Sequence, residues 1–167
     1  MWKTIIWHQF GASIDMLEDS LLACPDNLWG DCNEPSEFWY LAYHALFFLD
    51  LYLSGSIEGF LPPPPFTLDE LNPAGVMPER IYSKEELHNY LRHCRRKCQN
   101  VFADLTDEDA ARLCVFKNFK MSYGELLLDN MRHVQHHTAQ LNLMLRQKAG
   151  FAPRWLSNIK QENVNKD

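Results

Sequence analysis

The chain carries no surplus of positive charge. Its 16 Lys and Arg are outnumbered by 22 Asp and Glu, for a net charge of −6. No long basic stripe runs through it, so a nucleic-acid partner has no electrostatic footing and is not expected. The one basic run, "RRK" at 95–97, reads as the solvated face of a helix. A long apolar run is missing as well. "FWYLAYHALFFLDLYL" ends after about sixteen residues and contains a His and an Asp, short of a bilayer span, so no membrane partner is expected. The opening "MWKTIIWHQF" lacks the apolar core and small-residue cleavage site of a secretion leader. Cysteine is scarce and odd in number: five residues, at spacings that suggest no disulfide framework, fit a reducing compartment. A cytoplasmic location is the expectation.

What is present is an aromatic-rich chain of 167 residues, 46% hydrophobic and 13% aromatic, enough for one sizeable core. The apolar period is helical almost everywhere. Ile6, Phe10, Ile14, Leu17 and Leu21 recur at three- and four-residue steps and predict a first helix over about 2–23. It stops at "CPDN". A second helix is expected over about 35–53, with Ser36 or Asn33 as its cap. Six prolines in "GFLPPPPFTLDELNPAGVMPERIY" then force a long irregular crossing segment. Ser83 with Glu86 and Ser122 with Glu125 have capping-box spacing, starting a third helix that runs to about 105 and a fourth that runs to about 148. Between them "TDEDAAR" suits a turn of helix and "LCVFKNFKM" an extended stretch, with little sequence left from which to build a sheet. The fold expected is all-α, a four-helix bundle over 1–156 with a long connection between its second and third helices. A polar tail, 157–167, is expected to fray.

Three histidines fall within five positions of the fourth helix, in "RHVQHHTAQL". At about 100° per residue, His137 lies about 40° from His133, in one sector with Leu126 and Met144, so both are expected to face the core. His136 lies about 60° to the other side, at the edge of that face. On the second helix His44 shares a stripe with Tyr40, Leu41, Phe48 and Leu51 and is also expected inside. One inward histidine is ordinarily a hydrogen-bonded core residue. Three together need polar partners that Leu, Phe and Met cannot supply, and a bound cation resolves that. The i, i+4 pair offers two imidazoles to one ion and His44 a third. Zinc is the first choice, with nickel, iron or copper compatible with the same nitrogens. His8, His88 and His93 are offset from their apolar stripes and are expected on exposed faces. Leu87, Leu91, Cys94 and Cys98 make a core stripe, the competing reading being that the two cysteines are a metal or redox pair.

His44 in the second helix and "HVQHHTAQL" in the fourth resemble the DinB/YfiT-like metalloenzymes, whose fourth helix carries an H-x-x-H-H-x-G-Q-like motif. "PDNLW", the proline-rich crossing and "LTDED" have counterparts there too, so the resemblance covers nearly the whole chain. It implies the family's bundle with its long crossover, a tendency to dimerise, and metal ligands at His44, His133 and His137. Thr138-Ala139 replace the usual Arg-Gly, while Gln140 is kept. Several members of that family transfer bacillithiol, mycothiol or glutathione to an electrophile. The resemblance therefore implies a low-molecular-weight thiol and a small-molecule electrophile as partners.

Three neutral imidazoles would leave a divalent ion its charge and an open position, where a thiol loses its proton at neutral pH. The competing chemistry is metal-assisted hydrolysis, which wants a carboxylate base such as the Glu of H-E-x-x-H. Val134, Gln135 and His136 occupy that interval, leaving Glu37, Asp129 and His136 as the candidate catalytic side chains. Asp129 could instead orient a ligand histidine. A third reading is a non-enzymatic, stress- or damage-associated protein in which the metal only staples the bundle. That reading calls for a fourth protein ligand, for which Cys94 or Cys98 would have to turn toward the histidines. Trp2, Trp7, Trp39 and Trp155 exceed what one small core needs, which suits a homodimer contact.

Overall fold

The computed structural model describes residues 1–31 and 37–160. Four long helices carry the fold: α1 (Trp2–Ala23), α3 (Phe38–Ser54), α4 (Lys84–Asp104) and α6 (Tyr123–Ala149). Two short ones, α2 (Asp26–Trp29) and α5 (Asp107–Ala111), sit in the connections. A two-stranded antiparallel hairpin, β1 (Leu113–Val115) with β2 (Lys120–Ser122), pairs Cys114 with Met121. The extended stretch expected in "LCVFKNFKM" is this hairpin, and "TDEDAAR" forms α5 behind a Thr106–Asp109 capping box. Both other capping boxes form as read, at Ser83–Glu86 and Ser122–Glu125. The second long helix begins later than expected. Glu37 is its cap and Phe38 its first residue, while Asn33, Pro35 and Ser36 lie outside the described residues.

Side-chain bonds give the helix directions. His44 meets His137, the Leu49 carbonyl accepts from Asn130 and the Leu53 carbonyl from Tyr123, so α3 and α6 are antiparallel. Ser20 donates to Asn142 and Gln135 reaches Met16, so α1 and α6 are parallel. Lys3 bonds the Leu105 carbonyl while Arg95 reaches Asp15, making α1 and α4 antiparallel. The order around the bundle is α1, α6, α3, α4, with directions up, up, down, down. Because α3 and α4 are parallel neighbours, residues 55–83 must return along a helix of about 25 Å. This is the work of the proline-rich segment. It leaves α3 at Gly55, a left-handed cap with φ 70°, where a Cβ would lie 2.6 Å from the Arg112 guanidinium.

The core is continuous from Phe10, Ile14, Leu17 and Leu21 through Phe38, Leu46, Phe47 and Leu49 to Leu87, Leu91, Leu126, Val134, Leu141 and Leu145. Cys94 and Cys98 complete the α4 stripe as expected, fully buried. The "RRK" run is more than a solvated face. Arg95 bridges buried Asp15 and Glu18, and Lys97 bonds buried Asp50, leaving Arg96 as its exposed member. Residues 157–160, the start of the segment expected to fray, lie along α1. Gln9 donates to the Ser157 carbonyl, the Lys160 amide donates to Asp15, and Ile159 packs where a Cβ on Gly11 would sit 2.2 Å from its Cδ1. Gly11 thus admits the strap.

Candidate metal centre

His44, His133 and His137 come together between α3 and α6, with one nitrogen from each within 4.8 Å of the others. The helical offset of four residues brings the two α6 rings edge to face, their centroids 4.4 Å apart. Antiparallel packing then brings His44 across to 4.8 Å from the His137 ring and 5.4 Å from that of His133. All three are half-buried, not inside the core as the wheels suggested. The buried face of α6 runs through Leu126, Asn130, Val134, Thr138 and Leu141. The histidines sit at its edge, where α3 and α6 part, because a helix pair leaves an outer groove beside its packed seam. His136 is exposed, its ring 5.1 Å from that of His137.

Hydrogen bonds decide which nitrogens face the centre. His44 Nδ1 lies 2.7 Å from Glu70 Oε2, and His137 Nδ1 lies 2.7 Å from Gln140 Oε1. Both partners are acceptors, so each ring carries its proton on Nδ1 and turns a bare Nε2 lone pair away. The His137 Nε2 lies 3.0 Å from the Nε2 of His133. Burial, then the neighbouring imidazoles, push His133 down to about 3. Burial and then His44 push His137 down to about 4, against Gln140, which favours its charged form. Both are neutral bases at neutral pH. His133 Nδ1 is buried with no hydrogen-bond partner. Three converging imidazole nitrogens, two of them held neutral, are a poor arrangement for a bare core and a suitable donor set for a borderline cation. The nitrogens would have to draw closer than 4.8 Å to share one ion, which side-chain rotation of half-buried rings would allow.

An aromatic chain leads away from the centre. Phe48 lies 5.6 Å and Tyr52 6.1 Å from the His133 ring. Tyr52 meets Phe116 and Phe119 of the hairpin edge-on, and those two stack at 5.0 Å. On the other side Tyr40 lies 6.4 Å from His44. Burial, then the charge of Glu70, raise the Tyr40 hydroxyl to about 12; burial, then Asp129, raise that of Tyr52. Both phenols therefore keep their protons.

The carboxylates proposed from sequence are placed differently from one another. Glu37 caps α3 and accepts from the Trp39 indole. Asp129 pairs with exposed Arg132 at 3.6 Å on the α6 surface. The carboxylate that reaches a histidine of the trio is Glu70, from the crossing segment, which sequence reasoning missed. It sits 26 residues from His44 in a stretch with no period to place it.

Cys94 donates to the Leu46 carbonyl at the α3–α4 seam, and burial raises its thiol well above the ordinary range. Among the described residues the metal-capable group is the three histidines alone. His8, His88 and His93, expected on exposed faces, are half-buried, and His93 Nε2 lies 3.4 Å from Asp50. Two larger surface clefts, about 550 Å³ beside His93, Arg96 and Asn100 and about 480 Å³ beside Thr67, Asp69 and Tyr82, are not lined by His44, His133 or His137.

A helical bundle with three histidines converging from its second and last long helices defines a class of scaffold that could hold a metal ion. A family model of the DinB superfamily matches residues 9–141, and the chain belongs to that superfamily. No curated protein and no solved structure matches it. No helix among the described residues is long and apolar enough to cross a membrane.

Proposed function

We propose that the protein is a divalent-metal-dependent transferase that joins a low-molecular-weight thiol to a small apolar electrophile, with His44, His133 and His137 as the metal ligands and zinc as the metal. The observation that carries this is the engagement of three carboxylates, Glu37, Glu70 and Asp129. Glu37 holds an indole, Glu70 holds His44 and Asp129 is paired with Arg132. None of these three carboxylates stands free as a base to activate water, and a nucleophile activated by charge alone suits the site better. A divalent cation held by three neutral imidazoles keeps its charge and an open position, and so lowers the pKa of an entering thiol.

The protein's own groups do the rest. Glu70 and Gln140 fix two imidazole tautomers. Phe48, Tyr52, Phe116 and Phe119 give an apolar electrophile a surface beside the nucleophile and keep water from it. Tyr40 and Tyr52 hold phenolic protons that can meet negative charge developing on a leaving group or an opened epoxide. With a chlorinated aromatic, a C–S bond forms, the C–Cl bond breaks, and chloride and the thiol proton leave. A homodimer and a cytoplasmic location accompany this reading.

The test is thioether formation from a thiol and a chlorinated aromatic or epoxide in the presence of zinc. The rate should vanish with chelator and fall at least 100-fold in His133→Ala or His137→Ala. Asp129 favours a second reading, because its bond to exposed Arg132 is long and it lies one turn from His133. Thiol-independent ester or amide turnover that is lost in Asp129→Asn would establish hydrolysis instead.

A further inference from the structure

Glu70 belongs to no regular element of the bundle, yet its side chain is only 3% exposed. It lies in a single 3-10 turn, Asp69–Leu71, closed by Leu71 N donating to Leu68 O at 2.9 Å. The turn is fixed from two sides. Phe66 stacks on Tyr90 of α4 at 4.3 Å and on Tyr43 of α3 at 5.7 Å, and the Tyr43 hydroxyl donates to the Thr67 carbonyl. Tyr43 precedes His44 in α3, so the same turn of helix carries the metal ligand and anchors the strand of chain that reaches it.

We infer that Glu70 is the positioning residue of the metal centre: its carboxylate fixes the His44 proton on Nδ1, aims Nε2 into the site, and makes the crossing segment a structural part of the centre. Two observations carry this independently. The 2.7 Å contact is to His44 Nδ1, which leaves Nε2 as the ring nitrogen available to an ion, as a carboxylate that orients a ligand requires. In addition, Glu70 is buried without a lysine or arginine. Its close partners are the His44 imidazole and the Tyr40 hydroxyl, and Oε1 has no hydrogen-bond partner within normal distance. A buried carboxylate in that condition is costly unless positive charge lies close by, and an ion bound on the far side of the His44 ring supplies it. Charge on the ion and on Glu70 would then stabilise each other through the imidazole.

The inference rests on the three histidines being metal ligands, and its test separates the two claims. Zinc affinity is measured by competition with a chromophoric chelator for wild type, Glu70→Ala, Glu70→Gln and a control in the same segment, Glu79→Gln. The expected loss is about 10- to 100-fold in Glu70→Ala. Recovery should be partial in Glu70→Gln, whose amide oxygen can still accept from Nδ1, and Glu79→Gln should bind as wild type. Nitrogen-15 NMR of the metal-free proteins supplies a readout that a merely structural role would not move: His44 protonated on Nδ1 in wild type, with the proton redistributed to Nε2 in Glu70→Ala. If wild type binds zinc and Glu70→Ala binds it equally well, the inference is overturned and the histidine site stands. If wild-type affinity is unchanged in His44→Ala, both are overturned. A lowered melting temperature in Glu70→Ala with unchanged zinc affinity of the folded protein also overturns it, leaving Glu70 a loop anchor.

Discussion

Helix α3 carries two polar centres, on different faces, and they are satisfied in opposite ways. Toward α4, Asp50 is fully buried and surrounded by donors: Lys97 at 2.5 Å, the Tyr90 hydroxyl at 3.2 Å and His93 at 3.4 Å. Toward α6, His44 faces two neutral bases, and one nitrogen of His133 has no partner among the described residues. The Asp50 centre is complete within the chain. The histidine centre instead gathers three side chains that could hold a metal ion. Local frustration retained on one face of a helix whose other face is fully matched is what a binding site requires.

The largest effect should come from breaking the complete centre. Asp50→Ala leaves the Lys97 ammonium and the Tyr90 hydroxyl without their acceptor and should lower the unfolding free energy by about 3 kcal/mol. Urea denaturation measures it, and zinc affinity of the molecules that remain folded should be unchanged. The equivalent loss on the other face should have the opposite sign for stability. His133→Leu removes an imidazole with an unpartnered buried nitrogen, so the metal-free protein should gain about 1 kcal/mol while zinc binding is lost.

Acid sharpens the contrast. His133 and His137 are held near 3 and near 4, whereas an unfolded histidine titrates near 6.5. From about pH 6.5 downward the unfolded chain therefore binds more protons than the folded one. The histidine contribution to stability is complete above that pH and is lost progressively toward pH 3. Urea midpoints of the metal-free protein at pH 7.5 and 5.0 should show the fall, and His133→Leu should reduce it. Gln140→Ala should have the smallest effect. Its amide holds His137 from the exposed side, so zinc affinity should drop by roughly tenfold or less in the same chelator competition.

The helices and the histidine trio were legible because both depend on local spacing. Capping boxes at Ser83 and Ser122 set two helix starts, and the i, i+4 offset put His133 and His137 side by side. Depth was not legible. A helical wheel gives direction about one axis, and whether that direction ends in a core or in the groove beside a packed seam depends on where the neighbouring helix lies. Glu70 was out of reach for a related reason: its place follows from the path of an irregular segment pinned by Phe66 and Tyr43, not from any period. The pairing of Lys97 with Asp50 and of Arg95 with Asp15 was hidden in the same way, since a basic run reads alike whether it faces water or a buried acid on another helix.

X-ray absorption at the zinc edge, before and after addition of a small thiol, tests the histidine centre most directly. The account predicts three imidazole nitrogens at about 2.0–2.1 Å and a light-atom fourth ligand, replaced by one sulfur at about 2.3 Å when thiol is added, with the histidine signature reduced in His44→Ala. A shell closed by four protein ligands and unchanged by thiol would contradict it.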